Sequence, residues 1–405
     1  MSSSFTWLDA SEHDRRRAME VIDLFQRQTT RDELGIGTVR DGLAELLSPG
    51  LSTIQTRARY FLIVPWVYLR LERQRCSSAD VARKARNYEL RVAEALARSS
   101  DPSGAIGREA GRALLRLPST IYWGGLGVFG IRLFAGSQDQ YHRSLDRFYV
   151  ASERAASLRQ DREAEFLGHS NWHPHLPPAP DGFLDKLDFD LTREEAQYLQ
   201  DRFQARTLGS LIAHLTSRGE PFAAMRFPWD EPLGSSYPEP LRSVIEHARC
   251  FSEVMHGAAL LYNLMLSEAC GREDWVADYE RRLAQWQAQL GDREAAHRAW
   301  DRQRFWTLVS GTSARIPIPT RYFASRWIEL AVDASQRAVA TSAQRTLVRD
   351  RELTLKRGRA RLFHPEYLQM YSGSAGAEAI DYRWGTTQTV ANDILRGLAS
   401  DAVAA

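Results

Sequence analysis

Lysine is nearly missing from this chain. Lys84, Lys186 and Lys356 are three lysines within a combined Lys and Arg count of 53, so about fifty arginines carry the positive charge. A guanidinium pairs bidentately with carboxylate or phosphate and stacks on planar groups, which an ammonium does not. A GC-rich genome produces the same bias, so composition alone assigns no partner. The formal net charge is +2, which gives no whole-molecule field of the kind that marks a polyanion or membrane binder. Cysteine is scarce as well. Cys76, Cys250 and Cys270 lie too far apart for a disulfide framework or a metal knuckle, a usage that fits a reducing cytoplasm. No apolar core follows the opening "MSSSFTWLDASEHDRRR", which reads as mature protein. The greasiest run, Phe61–Leu69, is nine residues long. That is far short of the roughly 20 needed to span a bilayer, so the expectation is a buried segment of a soluble, cytoplasmic protein with no membrane partner.

Catalytic signatures are also lacking. There is no G-x-x-x-x-G-K-[ST] loop, no G-x-S-x-G elbow, no H-E-x-x-H pair and no H-x-K-x-x-x-x-D pair. The glycines of "GGLGVFG", at 124, 125, 127 and 130, stand without a strand-then-helix context and are weak evidence for a dinucleotide site. No cofactor and no metal are predicted. The 51 Asp and Glu residues cannot be ranked as catalytic groups without geometry. A carboxylate- or metal-dependent nuclease or hydrolase using His256 is therefore kept as an alternative function.

What the sequence does have is helical punctuation. Ser11 with Asp14, Thr30 with Glu33 and Thr192 with Glu195 have capping-box spacing. Apolar residues at threes and fours from Leu241 to Ala259 predict a long amphipathic helix over 240–269, ended near Gly271. A charged helical run over 276–308 carries Trp286, Trp300 and Trp306, which would form a surface for an adaptor that docks a helicase-like partner. "YWGGLGVFGIRLF" (122–134) is too glycine-dense for a regular strand and reads as a tight turn or close backbone packing. "ARIPIPTRYF" (314–323) reads as extended, and "ELTLKRGRARLFHPEYL" (352–368) as two short strands around a Lys356–Gly358 turn. The fold class expected is mainly α, multi-helical, in two or three subdomains, with a small C-terminal winged or β-hairpin element. The divisions are an N-terminal helical domain (1–165), a Pro-rich linker (166–182), a helical domain (183–340) and a basic C-terminal subdomain (341–405).

Two zones concentrate positive charge. Between 57 and 86, eight basic residues oppose Glu72 and Asp80; between 341 and 361, seven oppose Asp350 and Glu352. Arg57 and Arg59 stand at the mouth of the apolar run. On a helix they would lie about 200° apart, so at least one must point into packed structure, where an unpaired guanidinium is very costly. An internal ion pair is the commoner answer and a phosphate the functional one. The nucleic-acid reading takes Arg57, Arg59, Arg349, Lys356, Arg357, Arg359 and Arg361 as contacts to a DNA or RNA backbone. Tyr60, Trp66 and Tyr367 would be stacking surfaces, an interleaving of base and ring suited to polyanions. A solvated charged turn is the bland counterpart for the second zone. His169, His173 and His175 have an H-x-x-x-H-x-H spacing, but the prolines and the lack of Cys or carboxylate nearby favour a role in pinning the linker. Glu246, His247, Cys250, Glu253 and His256 share a helix face, but the second Glu-x-x-His helix of a di-metal bundle is missing.

Several stretches together resemble a bacterial family known as domain of unknown function sixty-three sixty-one. They are "SSFTWLDASEHDRRRAMEVIDLF", "RDELGIGTVRDGLAELLSPGLSTIQTRARYFLIVPWVYLRLE", "LPSTIYWGGLGVFGIR", "WHPHLPPAPDGF" and "DYRW", spread over nearly the whole chain. The resemblance implies an uncharacterised protein from an antiphage-defence or DNA-modification setting, encoded beside helicase-like and phospholipase-D-like proteins. It implies no catalytic residue. The leading expectation is a non-catalytic, DNA-binding or scaffolding subunit of such a system, with a helicase among its protein partners.

Overall fold

The computed structural model describes residues 32–160, 170–230, 232–332 and 339–400. Its helices in chain order are α1 (Gly37–Leu47), α2 (Tyr60–Arg73), α3 (Val81–Ala97), α4 (Pro118–Val128), α5 (Gln138–Gln160), α6 (Arg193–Thr207), α7 (Leu211–Thr216) and α8 (Leu233–Ser236). There follow α9 (Glu239–Ala269), α10 (Glu273–Asp292), α11 (Glu294–Ala299), α12 (Arg302–Ser310), α13 (Ile318–Val332), α14 (Ser342–Lys356), α15 (Pro365–Leu368) and α16 (Trp384–Ala399). The protein is mainly α. Among the described residues, β-pairing is limited to one isolated antiparallel bridge, Arg132 to Trp172. None of the described helices is long and apolar enough to cross a membrane.

The chain divides into two compact units. The first comprises the described residues up to Leu43 with Glu246–Ile380; the second comprises Ala44–Ile245 with the described residues from Asp381. The proline-rich stretch 166–182, expected as a linker, lies in its described part, from Ser170, inside the second unit.

The second unit is built on α2. Its buried residues run without a break from Tyr60 to Tyr68, and Leu71 follows. A helix apolar on all sides has to be enclosed by others, and α3 and α4 pack on it. Phe61 stands edge-on to Tyr122, Phe129 and Phe203, with centroids 4.9, 5.2 and 5.7 Å away. The connector packs against this helix, where Trp66 Nε1 donates to Pro177 O at 2.8 Å. Trp172 donates to the half-buried Glu72 carboxylate at 3.1 Å. α6 begins at the expected capping box: Thr192 Oγ1 accepts from Glu195 N at 3.2 Å, and Glu195 accepts from Thr192 N at 3.1 Å. α16 packs on α6 and α7.

The long helix runs over Glu239–Ala269, close to the expected span, and belongs to the first unit from Glu246 on; Gly271 takes φ +64° after it. The tryptophans expected on an adaptor surface are core residues: Trp286, Trp300 and Trp306 are all buried. Trp286 packs where a side chain at Gly257 would collide with it, and it donates to Glu253 O at 2.7 Å. Trp300 donates to His247 Nδ1 at 2.9 Å. A polar indole edge that finds an acceptor can be buried with the rest of the ring, which is why tryptophans in a charged helical run need not face a partner.

The expected C-terminal hairpin is not formed. Residues 342–356 are α14, started by a second capping box between Thr341 and Gln344, and Arg357–Arg359 form a single 3-10 turn. The alternation of Leu353 and Leu355 mimicked a strand, but the cap and the helix-forming residues around it decide the local structure. Likewise "YWGGLGVFGIRLF" is the end of α4 followed by a turn at Gly130, φ +65°. Close backbone packing is correct there, since a side chain at Gly125 would strike Gly50 O.

A buried polar chain crosses the second unit. Glu89 accepts from Ser119 N at 2.8 Å and Ser119 Oγ at 2.7 Å. Gln138 Nε2 donates to both Ser119 Oγ and Tyr68 OH at 2.8 Å, which leaves the Tyr68 hydroxyl to donate to His142 Nε2 at 3.0 Å. Burial outweighs the Ser119 hydrogen bonds and the pull of Arg86 and pushes the Glu89 carboxyl up to about 7. The folded state therefore holds this proton more tightly than the unfolded one. Its contribution is greatest at low pH and is lost as pH rises from the ordinary carboxyl range through about 7. His142, pushed down to about 4 by burial, acts in the opposite sense below pH 6.5. Glu89→Gln isolates the carboxyl term. Relative to wild type, its unfolding free energy should rise between pH 5 and pH 8, by up to about 3 kcal/mol at 1.36 kcal/mol per pKa unit. Thermal melts of both proteins across that range measure it, and parallel curves would disprove the assignment.

Candidate nucleic-acid interface

The expected contact residues divide between the units, Arg57 and Arg59 in the second and the remainder in the first. Arg57 and Arg59 sit at the N-terminus of α2, where the helix dipole disfavours cations and the first turn holds no acidic residue. Distant carboxylates fill that role. Arg57 Nε donates to Asp393 Oδ2 at 2.9 Å and Nη1 to Asp101 at 2.8 Å; Asp393 also accepts from Ala58 N at 3.0 Å. Burial alone would lower the Arg57 pKa, but Asp393 and Asp101 outweigh it and hold the guanidinium above its ordinary value. Arg59 Nη1 donates to Asp188 Oδ1 at 2.6 Å and Nη2 to Glu195 at 2.8 Å. Tyr60 and Trp66 are 0% and 2% exposed, so neither offers a face to a base. The ring beside Arg57 is Phe189, 4.6 Å from its guanidinium carbon, and Trp66 lies 5.8 Å from that of Arg59.

The C-terminal zone separates into two classes. Lys356 and Arg361 are drawn inward around two buried carboxylates. Lys356 pairs with Glu33 and lies 3.3 Å from Glu352, and Arg361 Nη1 lies 3.1 Å from Glu33. Glu352 also accepts from the N–H groups of Arg361 and Leu362, both at 3.0 Å, and from the Tyr262 hydroxyl. Two acids and two bases cancel. Arg351 spends its donors on Leu34 O, Gly35 O and Thr320 Oγ1, and Arg345 binds Glu268 through two bonds of 2.6 and 2.8 Å. Arg349, Arg357 and Arg359 are different. All three are exposed, and none has a carboxylate partner among the described residues. Arg349 lies over Phe363, 5.5 Å from its centroid, and that ring is itself exposed. Tyr367 is half-buried nearby in sequence, and Tyr371 is buried with its hydroxyl on Asn263.

Arg357 has φ +49°, a conformation in which glycine is the low-strain choice. Lys356, the residue before it, is tied to Glu33 and Glu352, so the chain must turn at 357. An arginine held there at a cost of about 1–3 kcal/mol puts a guanidinium on the outside of the turn.

The family of unknown function DUF6361 matches residues 1–399. The chain belongs to that family. No curated protein and no solved structure matches it. DUF6361 membership therefore names no reaction, and residue roles rest on geometry.

Within this DUF6361 chain, no group of three or more His, Cys, Asp and Glu side chains is arranged to hold a metal ion among the described residues. Glu253 is instead bound by Arg249 at 2.8 Å, Arg293 at 3.0 Å and His297 at 2.9 Å, and His256 Nε2 lies 3.1 Å from Ala377 O. His169 lies outside the described residues; the rings of His173 and His175 are 5.7 Å apart. The residues missed from sequence are the acids that claim the guanidiniums. Asp393 is 336 positions from Arg57, and no local pattern announces such a pair.

Asp393→Ala should lower the stability of the second unit by about 3 kcal/mol, the lower end for a broken buried pair, because it leaves the half-exposed Asp101 as the only acid on the Arg57 guanidinium. The double substitution Arg57→Met with Asp393→Leu should recover most of that loss. Urea unfolding of the full chain measures both, and a single-variant loss below about 1 kcal/mol would show the pair to be incidental.

Proposed function

We propose that the protein is a nucleic-acid-associated scaffolding subunit, without catalysis of its own, that engages a DNA or RNA backbone through Arg349, Arg357 and Arg359. Its setting on this reading is a bacterial defence or DNA-modification system in which a partner such as a helicase supplies the chemistry. The observation that carries the reading is the division of the 341–361 zone. Arg345, Arg351, Lys356 and Arg361 are consumed by internal partners, whereas these three guanidiniums are left to solvent, Arg349 over the exposed Phe363 ring. Phosphate would supply the missing counter-charge, and Phe363, already under Arg349, would supply a stacking face. The other residues first considered have no part in this contact: Arg57, Arg59, Lys356 and Arg361 hold carboxylates, and Tyr60 and Trp66 are core.

The test is fluorescence anisotropy with labelled duplex DNA and single-stranded RNA, titrated from 50 to 200 mM salt. Wild type should bind, with affinity falling as salt rises. Replacing all three arginines by Gln should weaken binding and reduce the slope of log affinity against log salt by about 2–3, near 0.7–0.9 per lost phosphate contact. An unaltered slope in the triple variant, or no binding by wild type, would overturn the proposal.

A further inference from the structure

A second cationic feature lies in the second unit and shares no residue with the surface just described. The end of α4, the turn after it, the residue following the Arg132–Trp172 bridge and the last two turns of α6 enclose a cleft of about 570 Å³. Arg132, Arg202, Arg206 and His173 line it, and no Asp or Glu does. None of the three arginines has a carboxylate partner among the described residues, although Arg57 and Arg59 of the same unit each hold two carboxylates.

Backbone geometry builds the site. Gly130 turns the chain at φ +65°, so that Ile131 O can accept from His173 N at 2.8 Å, which sets the imidazole at the cleft. A side chain at Gly127 would collide with the Arg132 guanidinium, and one at Gly130 would lie 3.3 Å from Arg206 Nε. These glycines let two cations lie flat along the turn. Arg132 stacks 4.8 Å from the Trp123 centroid and donates to carbonyls, including Gly136 O at 3.1 Å. Arg202 and Arg206 are one helical turn apart and project together.

Charge and hydrogen bonding both remain unbalanced. The C-termini of α4 and α6 each contribute about half a negative charge, well short of three guanidiniums. Arg202 Nη1 contacts His173 Nε2. An arginine can only donate, so Nε2 is the acceptor and Nδ1 carries the ring proton. His173 Nδ1 is buried with no partner, and so is Arg202 Nε. Donor capacity is unused on two adjoining side chains, as it is also on Arg293 Nε and His297 Nδ1 in the first unit, so it is the acid-free lining that marks this cleft. The other edge of the cleft is apolar, with Leu133 48% exposed beside Phe134.

The geometry points to a binding site for an organic phosphomonoester, with the phosphate among Arg132, Arg202, Arg206 and His173 and the body of the molecule on the Leu133–Phe134 edge. A carboxylate offers one charge and two oxygens. A phosphomonoester offers nearly two charges and three terminal oxygens, the better match to three guanidiniums, and the volume falls within the ordinary range for small-ligand sites. The phosphate is supplied either by a free nucleotide or by the 5′ end of a nucleic acid strand.

Calorimetric titration of the full chain with AMP and with adenosine tests the site. AMP should bind at least about tenfold tighter than adenosine, and Arg202→Gln and Arg206→Gln should each weaken AMP by about tenfold, the loss of one charge-assisted hydrogen bond. Arg206 is exposed, so its variant should melt with wild type, which separates lost binding from lost fold. The triple Gln variant at 349, 357 and 359 should bind AMP normally, so this proposal and the preceding one fail separately. A 5′-phosphorylated oligonucleotide that binds better than both AMP and its 5′-hydroxyl form assigns the source to nucleic acid; AMP binding better than either oligonucleotide assigns it to the free nucleotide. Equal affinity for AMP and adenosine, no AMP binding at millimolar concentration, or unchanged binding in both arginine variants would overturn the site.

Discussion

The second unit depends on how two guanidiniums are neutralised at the start of its most apolar helix. Arg57 and Arg59 precede α2, and without partners the dipole, the burial and their mutual repulsion would all oppose that position. The acids that answer them come from α16, from the segment after α3, from the connector before α6 and from the α6 capping box. Asp393 binds Arg57 and also accepts from Ala58 N, just before α2. Glu195 binds Arg59 and also closes the α6 cap through Thr192 N. Each carboxylate thus ties a helix end to a distant segment, and the arrangement specifies which helix end meets which. Such pairs add little net stability compared with well-packed apolar residues. Their effect is to make alternative packings of α2 costly.

The same logic operates in the first unit with different residues. Glu33 and Glu352 are balanced by Lys356 and Arg361, and the Tyr262 hydroxyl joins them. One of the chain's few lysines is used here. A compact ammonium that reaches Glu33, Glu352 and the Tyr262 hydroxyl from one point suits a crowded junction better than a planar fork. The inward pull of Lys356 forces the turn at Arg357 and leaves Arg357 and Arg359 facing outward. The exposed cations of this segment therefore follow from the buried ones.

How much of this was legible in the sequence depends on range. The Thr192–Glu195 cap and the helix over Glu239–Ala269 are local patterns, and both are present in the structure. The family resemblance rested on contiguous stretches and holds over residues 1–399. The hairpin expectation failed because residues 352–356 alternate like a strand, while the cap that commits them to a helix lies upstream at Thr341. The tryptophans were misplaced because a charged helical run was equated with an exposed one, although a single buried stripe suffices for Trp286 and Trp306. The fate of each arginine was hidden for a stronger reason. Whether a guanidinium is structural or available depends on an acid that can lie hundreds of positions away.

In an arginine-rich chain, local charge density is therefore a poor guide to where a polyanion binds. The zone from 57 to 86 has the larger excess, yet its two candidate contacts are the most completely neutralised. Arg132, Arg202 and Arg206 belong to no charge run, yet they share an acid-free cleft. The useful quantity is the number of guanidiniums minus the carboxylates that reach them, and it is set by packing. Glycines contribute to that balance. Gly130 forms the turn and Gly127 lies in the last turn of α4, and their missing side chains make room for Arg206 and Arg132. A backbone shaped to admit two unpaired cations spends conformational freedom on a feature that burial does not require, and an anionic ligand accounts for it better than packing does.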